Sequence, residues 1–258
     1  MAEDDRWPSR FGAWPASPWV ITGRQATAWF TVPDAVVARY LHSDLRPPLA
    51  AEGHPSRLRF YAMEAHGERF HEAVVSLPAR AGALDGEVTV ILWSDSEAYR
   101  TWAREAFGWP VLEAVFAYDG ALWGDALATG ATGSSRARVR DGELSLLVDE
   151  GVAPAAPAAS WMVRRPWLTM RRTVHRGGLD GETREVFQVR PELRRPGTRL
   201  AGRGAVRFAL APDDPLTALG EIRCDIEVLD GFELVVGADV DLVSSETLSR
   251  QIDNLSAL

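Results

Sequence analysis

The sequence predicts an α+β domain that is mainly antiparallel β, with its strands closed into a barrel or cone and a few helices at its side. About ten short segments alternate apolar and polar residues, which is the period of a strand with one buried face. Asp-Gly dipeptides at 119–120, 141–142 and 230–231 are typical of tight hairpin turns between such strands. Helical spacing is confined to two segments, so a closed antiparallel sheet is the favoured architecture.

The chain is predicted to begin with an arm, residues 1–19, that is rich in Trp and Pro. Its prolines prevent regular structure, and its aromatic residues are expected to pack on the domain or on a neighbouring subunit. Residues 20–258 are predicted to form a single domain, because a chain of 258 residues with 46% hydrophobic content can bury one large core. The first strand, 19–32, contains a glycine typical of a bulge, and residues 33–45 are predicted to be a short helix.

The middle of the chain has the strongest local patterns. Residues 57–65, 69–79 and 86–94 are predicted to form three successive strands. Residues 94–108 are predicted to be a helix, with Ser94 and the residue three positions later forming a capping box. Beyond it, turn residues separate many short strands, and the Pro/Ala-rich segment 150–159 is predicted to be a linker or a lid.

Composition limits the classes of function. All 28 basic residues are arginine and the net charge is −8, so the sequence argues against nucleic-acid binding. The single cysteine, Cys224, excludes an internal disulfide and a cysteine-rich metal site. The N-terminus is acidic and has no apolar stretch typical of a secretion signal. No apolar run approaches the roughly 18 residues of a membrane span. The sequence therefore predicts a cytoplasmic protein that acts on small molecules.

Residues 88–119 resemble the central segment of the acetoacetate decarboxylase family. In that family a strand is followed by a helix ending in Gly-Arg-Glu and then by a Pro-Lys-Lys turn. Arg104 and Glu105 stand at the Arg-Glu pair, and Trp109 with the following proline matches an aromatic-proline step. The resemblance implies that all three lie near the pocket. Arg104 and Glu105 are more readily explained by a structural role at the helix end, where an arginine complements the helix dipole.

The resemblance places the two lysines of that turn at Val111 and Leu112. The family works through a lysine that forms an imine with its substrate. This chain has no lysine, and arginine stays protonated, so neither residue type supplies an amine nucleophile here. Val111, Leu112 and Trp109 are therefore predicted either to form an apolar wall for a hydrophobic substrate or to belong to the core.

Three further site residues are implied by the resemblance, which extends over most of the chain. The family's first strand carries an arginine that reaches the substrate carboxylate, and this position is Arg24. The following hairpin carries two glutamates, of which one is retained as Glu72 and the other is replaced by Tyr61. Arg24 would bind a carboxylate or oxyanion, Glu72 would be a general acid or base if burial raised its pKa, and Tyr61 would donate a hydrogen bond.

Each of these residues also has a purely structural interpretation. Arg24 could be a surface arginine in an ion pair, Glu72 a solvent-facing strand residue, and Tyr61 a packed side chain with a hydrated hydroxyl. The histidines near Glu72, His66 and His71, lack the helical spacing of a zinc-protease motif, so no metal is expected. No other cofactor is expected either.

The sequence thus leads to three hypotheses of function. By resemblance, the first is a cofactor-free lyase, cyclase or isomerase of polyketide-type natural-product metabolism that acts on an enolisable, apolar substrate without an imine. The second is a lysine-independent decarboxylase of a β-keto acid, and the third is a non-catalytic small-molecule-binding protein. The resemblance and the aromatic arm also predict a homo-oligomer.

Overall fold

The computed structural model describes residues 19–48, 55–107, 109, 111–155, 166–174, 181–237 and 240–249. The predicted N-terminal arm lies outside these ranges except for Trp19, as do residues 156–159 of the predicted lid. All structural statements below refer to the described ranges.

Besides two short 3-10 helices, Ala121–Trp123 and Thr217–Leu219, the described part of the chain contains two α-helices and fourteen strands. In chain order they are β1 (Trp19–Phe30), α1 (Asp34–Tyr40), β2 (Ser56–Ala65), β3 (Glu68–Ala81), β4 (Leu84–Ser94), α2 (Glu97–Phe107), β5 (Val111–Glu113), β6 (Val115–Asp119), β7 (Gly133–Val139), β8 (Gly142–Pro154), β9 (Trp167–Val174), β10 (Gly181–Val189), β11 (Glu192–Arg195), β12 (Thr198–Ala209), β13 (Glu221–Val236) and β14 (Val240–Ser249). Residues 150–154, predicted to begin a loop, instead extend β8.

All the strands belong to one sheet with the order β14-β10-β9-β4-β3-β2-β1-β13-β12-β8-β7-β6. Strand β11 pairs with β13, and β5 pairs with β4. Every pairing is antiparallel except β4 with β5 and β4 with β9. The predicted α+β class, mainly antiparallel with few flanking helices, is confirmed.

The central strand β3 is buried on both faces. Its residues Ala73, Val75 and Leu77 enter one hydrophobic core, whereas Phe70 and Val74 point to the opposite face and enter a second core. A strand covered on both faces has no solvent side, which explains why residues 73–79 of β3 are apolar except for Ser76. The second core is completed by α2, so this face of the sheet is covered by a helix.

Local sequence signals fix the two elements that bring polar side chains to this second core. The hairpin between β2 and β3 turns at His66 and Gly67, whose φ angles of 53° and 80° suit a two-residue turn with both residues in the left-handed region. Helix α2 begins at Glu97, and the Ser96 Oγ accepts the Tyr99 backbone N–H at 3.1 Å. The predicted cap at Ser94 is therefore wrong by two residues.

Two further local predictions concern the bulge in the first strand and the end of the first helix. The bulge expected in the first strand is confirmed, because the register of β1 against β13 shifts between Gly23 and Arg24. The first helix ends at Tyr40, five residues before the predicted end at 45, since the backbone of Leu41 is extended.

Candidate active site

A cavity lies in the second core, between the β2–β3 hairpin and α2. Its volume is about 40 Å³. Mostly apolar and aromatic side chains surround a small number of polar groups. The lining residues are Ile21, Arg59, Tyr61, Met63, Glu72, Val74, Thr89, Tyr99, Trp102, Trp109, Trp167, Leu234 and Val236.

The two-residue period of β2 delivers the polar groups to the cavity. Arg59, Tyr61 and Met63 line the cavity, while Leu58 and Phe60 between them belong to the opposite core. A strand can therefore place a cation and a phenol side by side in one core without disturbing the other. Tyr61 lies directly across from Glu72 on β3, which also lines the cavity.

Glu72 is the acidic group of the cavity. Only 6% of its surface is exposed, and burial raises the pKa of its carboxyl group from the ordinary value of 4.5 to about 7. The hydrogen bond from Tyr99 and the positive charge of Arg59 act in the opposite direction and lower this pKa, but burial outweighs them. A carboxyl group with a pKa near neutrality can both accept and return a proton at working pH.

Two tyrosine hydroxyls flank Glu72. Burial is the main cause of the raised pKa of both Tyr61 and Tyr99, so both phenols stay neutral and can donate hydrogen bonds. Tyr99 donates to the Glu72 carboxylate, and its position follows from the Ser96 cap at the start of α2. Tyr61 accepts a hydrogen bond from the Arg59 guanidinium.

Arg59 is the cation of the cavity. It is 2% exposed, it donates to the Ser76 Oγ, and its Nη2 lies 3.5 Å from the Glu87 Oε1. Glu87 also forms a buried ion pair with Arg57, so two arginines share one carboxylate. The guanidinium carbon of Arg59 lies 5.7 Å from the ring centre of Trp167. This network holds a buried positive charge close to Glu72.

Three N–H groups of cavity-lining residues have no acceptor in the described part of the chain. They are the Nε of Arg59 and the indole Nε1 groups of Trp109 and Trp167. A buried donor without an acceptor costs about 1–3 kcal/mol. Such donors are compatible with a ligand that brings acceptor oxygens into the cavity.

The other sequence-based candidates lie around or away from this cavity. Arg104, Val111 and Leu112 line a second, open depression, the groove, which shares Trp109 with the cavity. The groove has a volume of about 440 Å³. Arg104 donates to the Val111 carbonyl oxygen from its Nε at 2.9 Å, which fits the structural role considered for it. The side chain of Glu105 lies outside the described residues.

Arg24 does not line the cavity, although the resemblance implied that it would. Its Nε donates to the Asp230 Oδ1 at 2.8 Å, and its Nη1 donates to the carbonyl oxygens of Leu122 and Gly124 at 2.9 and 2.7 Å. The bulge at Gly23 and Arg24 turns this side chain toward the β13 partner. Arg24 thus holds together three segments, and the cation in the cavity is Arg59.

Sequence reasoning missed Arg59, Tyr99 and Trp167. A signal for Arg59 was present, since Arg57 and Arg59 alternate with two apolar residues and stand in phase with Tyr61. Tyr99 carries no comparable signal, because its contact with Glu72 depends on how α2 packs against the sheet. Trp167 reaches the cavity through the parallel pairing of β9 with β4, which the sequence does not reveal.

The described residues show neither a group of metal ligands nor a membrane-spanning helix. They contain no group of three or more His, Cys, Asp or Glu side chains placed to hold a metal ion. Neither of the helices in the described ranges combines the length and the apolar character needed to span a membrane.

The raised pKa of Glu72 predicts an unusual pH dependence of stability. Between pH 4.5 and 7 the folded protein holds a proton on Glu72 that the unfolded chain releases, so stability falls as pH rises through this window. The variant Glu72→Gln has no carboxyl group at this position, so it does not lose stability in this way. We therefore expect the difference in free energy of unfolding, Glu72→Gln minus wild type, to increase by about 3 kcal/mol from pH 4 to pH 8.

Denaturant unfolding at both pH values measures this difference. Glu64→Gln is the matched control, because Glu64 is exposed on the same hairpin and pairs only loosely with Arg69 at 3.4 Å. A Glu72→Gln curve that runs parallel to wild type from pH 4 to pH 8 would contradict the assignment.

Comparison with known proteins gives structural matches only. No protein-family model matches the chain, and no curated protein matches it in sequence. The enduracididine biosynthesis enzyme MppR, solved with the condensation product of pyruvate and imidazole 4-carboxaldehyde, superposes with a TM-score of 0.68 at 14% identity, over 90% of this chain and 91% of that chain.

Two further solved structures extend the comparison. An acetoacetate decarboxylase-like enzyme from Sphingomonas wittichii gives a TM-score of 0.68 at 16% identity, over 90% of this chain and 95% of that chain. The acetoacetate decarboxylase of Legionella pneumophila gives 0.60 at 14% identity, over 94% and 95% of the two chains. These superpositions show that the chain has the fold of the acetoacetate decarboxylase-like enzymes.

Proposed function

We propose that this protein is an enzyme of the lyase or isomerase type that moves a proton at the carbon next to the carbonyl of a small oxo acid, without an imine. The observation that carries the proposal is Glu72, a buried carboxyl group with a pKa of about 7, beside the buried cation Arg59. A buried acid–base group and a buried cation in one cavity can together promote enolisation.

The cavity favours a small and anionic substrate. A positive charge at Arg59 and the N–H donors without acceptors complement a carboxylate or an enolate oxygen. A volume of about 40 Å³ suits a compound of few carbons in the described conformation. The sequence analysis expected an enolisable, apolar, polyketide-type substrate, and we propose a small anionic one in its place.

The proposed reaction uses residues of this chain alone. The Glu72 carboxylate takes the proton from the carbon beside the carbonyl, the C–H electron pair forms a carbon–carbon double bond, and the carbonyl oxygen becomes an enolate. Arg59 and the neutral hydroxyl of Tyr61 stabilise the negative oxygen. Protonated Glu72 then returns its proton. If a carbon accepts it, the enolate electrons form the new C–H bond, the carbonyl is restored and the substrate is isomerised. If the substrate carries a hydroxyl group on the next carbon, that group accepts the proton, its C–O bond breaks, the enolate electrons form a carbon–carbon double bond beside the restored carbonyl, and water leaves.

The structural neighbours are consistent with this substrate class. The enduracididine biosynthesis enzyme MppR has been solved with pyruvate and with the condensation product of pyruvate and imidazole 4-carboxaldehyde. An enzyme of the same fold thus binds a small oxo acid. We extend that class of substrate to this chain because its cavity has the charge and the size for it.

The test is solvent deuterium exchange. Pyruvate and 2-oxobutanoate are incubated with the protein in D₂O, alongside their methyl esters, and followed by NMR and mass spectrometry. We expect deuterium at the carbon beside the carbonyl faster than without protein for the acids, and little acceleration for the esters. Binding of the acids without exchange or product would favour the non-catalytic binding protein, and loss of carbon dioxide from a β-keto acid would favour the decarboxylase.

A further inference from the structure

Trp109 lines both the cavity and the groove, and among the described residues it is the one shared by the two. The groove has a volume of about 440 Å³ and the cavity about 40 Å³. The wall of the groove is apolar apart from one charged residue, Arg104, and consists otherwise of Val90, Ile91, Trp93, Val111 and Leu112. The side chain of Trp109 thus borders a small cavity that contains a few polar groups and a larger apolar groove.

The main chain of Trp109 is anchored independently of its ring. Its backbone N–H donates to the Ala103 carbonyl oxygen at 3.2 Å, and its own carbonyl accepts the Val111 N–H at 2.9 Å. These bonds tie the residue to the end of α2 and to β5. A smaller side chain at this position would leave both bonds in place.

The indole ring is fixed by aromatic neighbours. It stacks on Phe107 with ring centres 4.4 Å apart and planes at 24°, and it meets the edge of Trp167 at 6.0 Å. Only 7% of its surface is exposed. A ring packed this closely does not swing aside without disturbing its neighbours, so it acts as a fixed wall.

We propose that Trp109 determines substrate specificity by closing the cavity against the groove, so that the enzyme selects short oxo acids and rejects those with a long apolar chain. The inference rests on the proposed function and assigns the chain-length limit to this one side chain. Without the indole, the cavity and the groove would form one continuous site with a polar head and an apolar tail region. Each methylene that the groove takes from water would then improve binding about fourfold.

The experiment compares a chain-length series of unbranched 2-oxo acids, from four to ten carbons, with wild type and Trp109→Ala. For wild type we expect kcat/KM to fall by at least about tenfold between the shortest and the longest acid. For Trp109→Ala we expect the ratio of long to short substrate to rise at least about tenfold. We compare the ratio of kcat/KM values for long and short acids because any effect of losing the indole that is common to all substrates cancels in this ratio.

Trp102→Ala is the matched control, since Trp102 lines the cavity, belongs to the same aromatic cluster and does not border the groove. It should enlarge the cavity without admitting long chains. Equal relaxation of chain length by both substitutions would overturn the proposal, and so would an unchanged ratio in Trp109→Ala. Adding Leu112→Glu to Trp109→Ala places a charge on the groove wall and should abolish the gain for long acids.

A binding measurement separates this inference from the proposed reaction. Calorimetric titration with butanoate and decanoate needs no turnover. We expect decanoate to gain affinity over butanoate in Trp109→Ala but not in wild type or Trp102→Ala. If no acid is turned over while this pattern holds, the reaction is wrong and the partition is right. If acids are turned over without the pattern, the partition is wrong.

Discussion

Replacing Glu72 with glutamine is expected to lower the turnover of a small oxo acid by about 10²–10⁴-fold. The substitution keeps the shape of the side chain and removes the group whose pKa of about 7 lets it take and return a proton. Substrate binding should survive, because the positive charge of the cavity belongs to Arg59 and this substitution leaves Arg59 in place. Steady-state kinetics and calorimetric binding of pyruvate measure the two quantities.

The pH profile gives an independent readout of the same group. If ionised Glu72 is the base, the wild-type rate of deuterium exchange should rise with pH and level off above about pH 7. The residual rate of Glu72→Gln should lack this step. Glu64→Gln removes an exposed carboxyl group from the same hairpin and should behave as wild type. A Glu72→Gln variant that keeps both the wild-type rate and its pH step would exclude Glu72 as the acid–base group.

Replacing Arg59 with glutamine is expected to lower kcat/KM for oxo acids by about 10²–10³-fold. A buried cation near developing negative charge stabilises it strongly, because water does not screen the interaction. The loss should be selective: affinity for pyruvate should fall, whereas affinity for its neutral amide should change little. Some stability will also be lost, since the bonds to Ser76 and the contact with Glu87 disappear.

Arg24→Gln is the matched control for this prediction, and it compares the two arginines directly. Arg24 bonds to Asp230 and to two backbone carbonyls outside the cavity. Its loss should lower the temperature of unfolding and leave the preference for acid over amide intact. A selective loss of acid binding in Arg24→Gln, with Arg59→Gln unaffected, would show that the anion is bound elsewhere.

Sequence patterns predicted the fold because the patterns are local. The strand patterns in 57–65 and 69–79 predicted the two strands that carry Tyr61 and Glu72. The helix over 94–108 was found within three residues at its start and one at its end. The position of the cap was harder to predict than the helix, because Ser94 matches the capping-box motif with Glu97, whereas the observed cap, Ser96, has Tyr99 three positions later.

Pairing between distant strands, in contrast, was not readable from the sequence. Arg24 was assigned to the pocket through the resemblance, yet a register shift against β13 places it beside Asp230. Trp167 enters the cavity because β9 pairs with β4 from more than 70 positions away, at Glu87 and Val88. No local pattern encodes either event, because both depend on which strands become neighbours.

The sequence by itself determined that no lysine imine can form, that the fold is mainly antiparallel β, and that Tyr61 and Glu72 lie on two successive strands. These follow from residue identity and from a two-residue period, which act over short distances. Only the tertiary structure decided that Arg59 is the cation of the cavity, that Glu72 is buried enough to have a pKa near 7, and that Trp109 borders two spaces. Burial and charge proximity arise when separate strands and a helix close around one volume, and a pKa depends on that volume as a whole.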